Sequence, residues 1–136
     1  MGKVLWAVLA CFCLAGCSRQ LPEETAPLCH YVVRAEVVCH IGNETVSKQF
    51  TEDGKIESVL YYLRLLEDDG DLERLPRNAE GADFEILLFF SDGGCRLYRQ
   101  KGAEYISQDG GPWRILKQRQ GSRLQTLFKL LPGDIQ

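Results

Sequence analysis

DFEILLFFSDGGCRLYRQK, residues 83–101, decides the fold. From Ile86 to Phe90 the apolar side chains are consecutive rather than alternating. An extended segment of this kind is apolar on both faces, which suits a strand inside a sheet or one covered on both sides. Asp92-Gly93-Gly94 is turn chemistry. Residues 95–101 then alternate as a second arm, with Cys95 and Leu97 sharing the core-facing parity, and Gly102 ends it. The stretch reads as a β-hairpin with a buried first arm.

Toward the N-terminus, YVVRAEVVCHI at 31–41 puts Tyr31, Val33, Ala35, Val37, Cys39 and Ile41 on one face, and Arg34, Glu36 and His40 on the other. That is a half-buried strand. Gly42-Asn43 breaks it and residues 45–51 alternate again, giving another hairpin; Asn43-Glu44-Thr45 spells a glycosylation acceptor but reads here as a turn. Ile56, Val59, Leu60, Leu63 and Leu66 recur at three- and four-residue steps, the stripe of an amphipathic helix with Asp53 as its N-cap. Acidic residues with Gly70, then Pro76, end that helix, and residues 70–82 read as a long polar connection.

Toward the C-terminus, residues 104–107 and 113–117 form a further hairpin around QDGGP. Ser122 is placed to cap a short helix carrying Leu124, Leu127, Phe128 and Leu131 on one face, stopped by Pro132-Gly133. The expected fold is α+β: an antiparallel sheet of about four to five strands with two helices packed on one face, in the order β-β-α-β-β-β-α, within a single domain spanning residues 30–133.

The chain has 136 residues, enough for one core. Its first twenty, MGKVLWAVLACFCLAGCSRQ, carry an early cation at Lys3, an apolar run from Val4 to Leu14, and small residues at Ala15 and Gly16. This is the three-part layout of an export signal, and the run is shorter than the roughly 20 residues a stable membrane span needs. Leu14-Ala15-Gly16-Cys17 resembles the bacterial lipobox. The resemblance implies cleavage that removes residues 1–16, diacylglycerol on the Cys17 sulfur, and localisation at the cell membrane, lipid-anchored and facing outside the cytoplasm. Residues 17–29 then hold the lipidated cysteine and a polar, proline-containing tether.

Without Lys3, 15 of the 16 Lys and Arg remain against 19 Asp and Glu. A mildly acidic body with no basic stripe argues against a nucleic-acid partner, which requires clustered cations. Cys29, Cys39 and Cys95 remain as thiols in an oxidising compartment. Alpha carbons must come within about 7 Å to form a bridge. Cys39 with Cys95 is therefore the expected pair, if the first strand and the second arm of the 83–101 hairpin lie side by side. The alternatives are two reduced cysteines packing as small hydrophobes, or Cys29 in place of Cys95 if the chain bends at Pro27 and the strand begins only at Tyr31.

Cys29-His30 and Cys39-His40 suggest a metal or haem site. A strand, however, sends cysteine and histidine to opposite faces and separates the pairs by about 33 Å. No G-x-S-x-G elbow accompanies any serine, so no catalytic residue is assigned. Glu67, Asp68, Asp69, Asp71 and Glu73 depart from a calcium loop's spacing and read as a solvated helix end. Trp113, after Gly110-Gly111-Pro112, is a possible binding anchor, though such a ring more often folds back as a lid on a small core.

Tyr61–Leu66, Phe84–Gly93, Leu97–Lys101 and Gly110–Trp113 together are similar to a group of small lipoproteins from anaerobic gut Firmicutes, over most of residues 31–131. The resemblance implies a shared fold type and no particular activity. The expectation is a noncatalytic, membrane-anchored module, without cofactor, that binds an envelope or surface protein, a peptide or another envelope component. The rivals are an enzyme using two converging carboxylates and a metal or haem binder using His30 and His40.

Overall fold

The computed structural model describes residues 31–133. The signal segment, Cys17, the tether, Cys29 and His30 lie outside the described residues. The class is α+β. The elements are β1 (Val32–Ile41), β2 (Glu44–Phe50), α1 (Asp53–Arg64), β3 (Asp68–Leu72), β4 (Asp83–Phe90), β5 (Cys95–Lys101), β6 (Tyr105–Gln108), β7 (Trp113–Leu116), a 3-10 turn (Lys117–Arg119) and α2 (Ser122–Leu130). The seven strands form one sheet in the order β2-β1-β4-β5-β6-β7-β3. Every neighbouring pair is antiparallel.

Local chemistry explains the sheet's hairpins and the interior position of β4. Ile41 pairs with Glu44 across a two-residue loop in which Gly42 has φ +59°. Positive φ at the first central position is the pattern of a II′ hairpin, whose twist matches its strands. β4 lies between β1 and β5, as its doubly apolar sequence requires. Phe84, Ile86 and Leu88 point to the covered face and are buried, while Leu87 and Phe89 are half-buried on the other.

Both helices cover the same face. Phe84 and Gln100 are cross-strand partners. The Phe128 ring of α2 meets Phe84 edge-on at 6.1 Å, and the Tyr62 hydroxyl of α1 donates to Gln100 Oε1. Ala35, Val37, Phe50, Val59, Ile86, Leu88 and Leu124 have no exposed surface and form the centre of the core. Each large side chain among them contributes about 1.5–3 kcal/mol through burial.

The sheet is larger than the four to five strands expected. The 105–116 hairpin forms, and β3 adds an edge strand where the sequence suggested only a solvated helix end and a polar connection. β3 pairs with β7 at Asp68↔Leu116, Asp71↔Arg114 and Leu72↔Trp113, with an irregularity between Asp68 and Asp71. The Arg114 guanidinium lies 3.2 Å from the Asp68 carboxylate, and the Lys117 N–H donates to Glu67 O at 2.9 Å. Cross-strand charge pairing thus supports a segment of poor strand propensity.

Three further expectations are corrected. Asp53 and Ser122 are the first residues of their helices, whose N-caps are Glu52 and Gly121. On α1, Tyr62 joins Ile56, Val59 and Leu63 on the buried face, and Leu66 lies beyond the helix. On β5 the covered face holds Arg96, Tyr98 and Gln100, all buried, while Leu97 lies on the opposite face.

The Cys39–Cys95 bridge is also corrected, since both cysteines are free thiols. β4 separates their strands, with Cys39 paired to Phe84 and Cys95 to Phe89. That places them about 10 Å apart across the sheet and about 16 Å along it, on opposite faces. No bridge spans that distance. Burial pushes the Cys39 thiol pKa up, with Asp83 adding to the effect. Cys95 is likewise raised, by burial first and then by Asp109, with Arg34 opposing.

Candidate functional site

One end of the sheet carries the β1–β2 turn, the loop before β4, the β5–β6 turn and the start of α2. Three of these segments enclose a cleft of about 550 Å³. Its walls are the stretch 78–82, the turn 102–105, and Arg119, Gly121, Ser122 and Gln125, with Phe84 at its base. The volume falls within the range of small-ligand sites.

Glycines bring these walls together. A methyl group on Gly81 would lie 2.6 Å from Gly102 Cα, one on Gly102 would lie 2.2 Å from Glu80 O, and one on Gly121 would lie 2.7 Å from Ala103 O. No side chain fits at those contacts. The Gly102 N–H donates to Ala82 O at 2.8 Å and the Gly121 N–H to Ala103 O at 3.0 Å. Beneath them the Gln100 amide donates to Gly102 O at 2.8 Å and Gly121 O at 2.9 Å. A single buried glutamine therefore ties the turn to the start of α2 and is itself held by Tyr62.

The rim is charged. Glu80 is exposed, and the Arg119 guanidinium pairs with the half-buried Glu104 carboxylate. Gln118 and Arg119 both adopt left-handed backbone, with φ +51° and +52°. Two consecutive non-glycine residues in that region cost roughly 1–2 kcal/mol each. The conformation is held by Gln120, whose side chain accepts the Glu67 N–H at 2.7 Å and whose own N–H donates to Lys117 O at 3.0 Å. Such strain concentrates where a binding surface needs a side chain in one place.

The residues singled out by sequence lie elsewhere. Trp113 begins β7 opposite Leu72, half-buried, with the Arg99 guanidinium 5.8 Å from its ring centre. It is a strand residue rather than a projecting loop anchor. His40 lies beside the β1–β2 turn, where Nδ1 bonds Thr45 Oγ1 at 2.9 Å and Nε2 bonds Glu85 Oε1 at 3.2 Å. Both ring nitrogens are thus engaged within the sheet. Among the described residues, no group of three or more His, Cys, Asp or Glu is gathered to hold a metal ion.

Sequence reasoning missed Glu80, Glu104, Arg119 and Gln125. Its only available signal was isolated glycines at 81, 102 and 121, each beside polar residues, and nothing in the linear order says that these three glycines meet.

The fold and cleft together define an α+β domain in which a seven-stranded antiparallel sheet, helix-covered on one face, presents a polar cleft at one end. No family model, no curated protein and no solved structure matches the chain.

Proposed function

We propose that the chain is a lipid-anchored extracytoplasmic lipoprotein whose body is a noncatalytic binding module, with the cleft above Phe84 as its ligand site. The anchor rests on the lipobox-like residues 14–17 alone. Among the described residues no helix is long and apolar enough to cross a membrane. The observation that carries the binding reading is the cleft, a concavity of about 550 Å³ walled by polar backbone and bounded by a strained, charged rim. The chain enters the domain at Val32, paired to Phe90, whereas the cleft lies at the other end of the same strands, beside Asp83 and Lys101. Ten residues of β1, about 33 Å, separate the two ends.

The test is a photo-crosslinking residue placed at Ser122, on the cleft rim, or at Asp92, in the turn at the opposite end, in intact cells. The expected result is a discrete adduct from Ser122 and none from Asp92. Identical adduct patterns from both positions, or none from either, would remove the cleft from the account.

A second reading draws on Glu80 and Glu104, two carboxylates that line the same cleft. Paired carboxylates can supply a general acid and a general base. Glu104 is engaged by Arg119, which favours the binding reading. Turnover of a substrate by the wild-type chain that is abolished in Glu80→Gln and in Glu104→Gln would favour the enzyme.

A further inference from the structure

The two edges of the sheet are finished differently. β3, at one edge, sets three aspartates and an irregularity against further strand pairing. β2, at the other, pairs with β1 in an unbroken register from Glu44 to Phe50 and contains no proline. Its one lysine does not guard the edge, because the Lys48 ammonium is turned over the sheet onto Phe128 O and Leu131 O. The Thr45 and Ser47 hydroxyls are likewise turned toward β1, onto His40 Nδ1 and Glu36 Oε1.

The hairpin fixes which main-chain groups face outward. Ile41 and Glu44 flank a two-residue loop and exchange both of their hydrogen bonds, as do Cys39 with Val46 and Val37 with Lys48. The N–H and C=O groups of Thr45 and Ser47 therefore point away from β1, where no strand among the described residues meets them. Gly133 lies against Lys48 and Gln49, so the open part of the edge is 44–47, with all four residues exposed.

That part complements itself. About a two-fold axis through Val46, Thr45 meets Ser47 of the second copy in a pair that exchanges two N–H···O bonds, and the axis repeats the pair. Val46, on the helix-covered face yet 49% exposed, is covered by its own copy. Glu44 meets Lys48 of the second copy at both ends, and opposite charges across a strand pair are stabilising. An ammonium has three protons; two of those on Lys48 go to the α2 carbonyls, which leaves the third for this carboxylate. An axis through Thr45 or Ser47 also aligns the outward groups, but sets Glu44 against Val46 or Phe50 and loses both charge pairs. With the axis at Val46 the two α2 ends, each above a Lys48, stand about 13 Å apart along the strands, so two helices about 10 Å wide clear one another.

We propose that the chain forms a two-fold dimer in which β2 pairs antiparallel with β2 of a second copy, centred on Val46. None of the cleft's walls is on β2, so the dimer is independent of the ligand reading. A strand pair this short makes a small interface and hence a reversible dimer.

The experiment measures the protein mass of the full chain in detergent by light scattering over a range of concentrations, with amide exchange read residue by residue. The expected result is a monomer that passes to a dimer as concentration rises. Exchange at Thr45 and Ser47 slows with it, while Val46, already bonded to Cys39, does not change. Ser47→Pro removes an outward N–H and leaves the β1 ladder intact, and is expected to raise the dimer dissociation constant by roughly tenfold or more. Glu44→Lys, at an exposed position, creates two like-charged pairs and is expected to raise it by roughly fivefold or more.

A monomer at every concentration would overturn the proposal, as would a dimer that both variants leave intact, or one in which Thr45 and Ser47 exchange as fast as in the monomer. A dimer that forms only after residues 134–136 are deleted would overturn it too, and would assign the edge to the chain's own C-terminus.

Discussion

Gly102 carries two constraints at once, a φ of +56° and a position where any Cβ would lie 2.2 Å from Glu80 O. Gly42 carries only the first, with φ +59° and open space around it. Gly102→Ala is therefore expected to destabilise the fold by about 2–4 kcal/mol, through left-handed strain and displacement of the 78–82 wall. Gly42→Ala, strained in backbone but meeting no atom, is expected to cost about 1–2 kcal/mol. Urea unfolding of both variants checks this, and equal losses would contradict it.

Below Gly102, burial pushes the Tyr62 hydroxyl pKa well up, with Gln100 and Arg123 opposing. A folded-state pKa above the unfolded one means that Tyr62 contributes stability fully below about pH 10, and that this contribution is lost progressively as pH rises from there through the raised folded-state pKa. Tyr62→Phe should cost about 1–2 kcal/mol at pH 7 by leaving Gln100 Oε1 without this donor. It should also flatten the decline in stability above about pH 10. An unchanged alkaline slope would remove Tyr62 as its source.

The same residues show where a binary reading of the sequence fails. In β5 the apolar Leu97 suggested the core face, but Arg96 and Gln100 are inside because each meets a specific partner. The Arg96 guanidinium lies 3.5 Å from the Asp109 carboxylate, and Gln100 bonds Tyr62, Gly102 and Gly121. Apart from Gly102, two residues on, those partners are distant in the chain, and hydropathy does not encode them.

At the scale of elements, β4 and the Ala35–Cys39 part of β1 were legible because burial alone determines them, whereas Tyr31, Val33 and Ile41, read onto the same face, are exposed, the first two around the irregularity between Val32 and Arg34. β3 was not. Three aspartates and a glycine in five residues argue against a strand, and only β7, more than forty residues later, makes it one. Charged edges of this kind also discourage further strand pairing.

α2 depends on a distant partner too. Lys48 of β2 reaches across to its C-terminus, where the ammonium donates to Phe128 O and, at 3.3 Å, to Leu131 O, and lies 4.6 Å from the Phe128 ring centre. A cation on the last carbonyls of a helix completes otherwise unpaired acceptors and complements the helix dipole. Lys48→Met, which keeps the stem, is expected to cost about 1–2 kcal/mol and to lower amide-exchange protection in α2 more than in α1. Equal loss of protection in both helices would show that Lys48 acts on the fold as a whole.

Across the whole molecule, the α+β class follows from hairpins and two apolar helix stripes, but the strand order does not. Placing β4 between β1 and β5 is a tertiary outcome, and it separates Cys39 from Cys95. The cleft is tertiary in the same sense, made by three loops that the strand order gathers at one end. The proposed anchor is the reverse case, since it rests only on a short linear pattern whose residues lie outside the described part of the chain.

The central proposal is attachment through lipid on Cys17. Two acyl chains give stable attachment where one does not. The most direct measurement is the intact mass and membrane partitioning of the protein from cells expressing the wild-type chain or Cys17→Ser. The expected result is a wild-type product beginning at Cys17, heavier than its peptide by a diacylglycerol and recovered with membranes, and an uncleaved, lipid-free Cys17→Ser precursor. A Cys17→Ser protein cut normally, or a wild-type product without lipid, would contradict it.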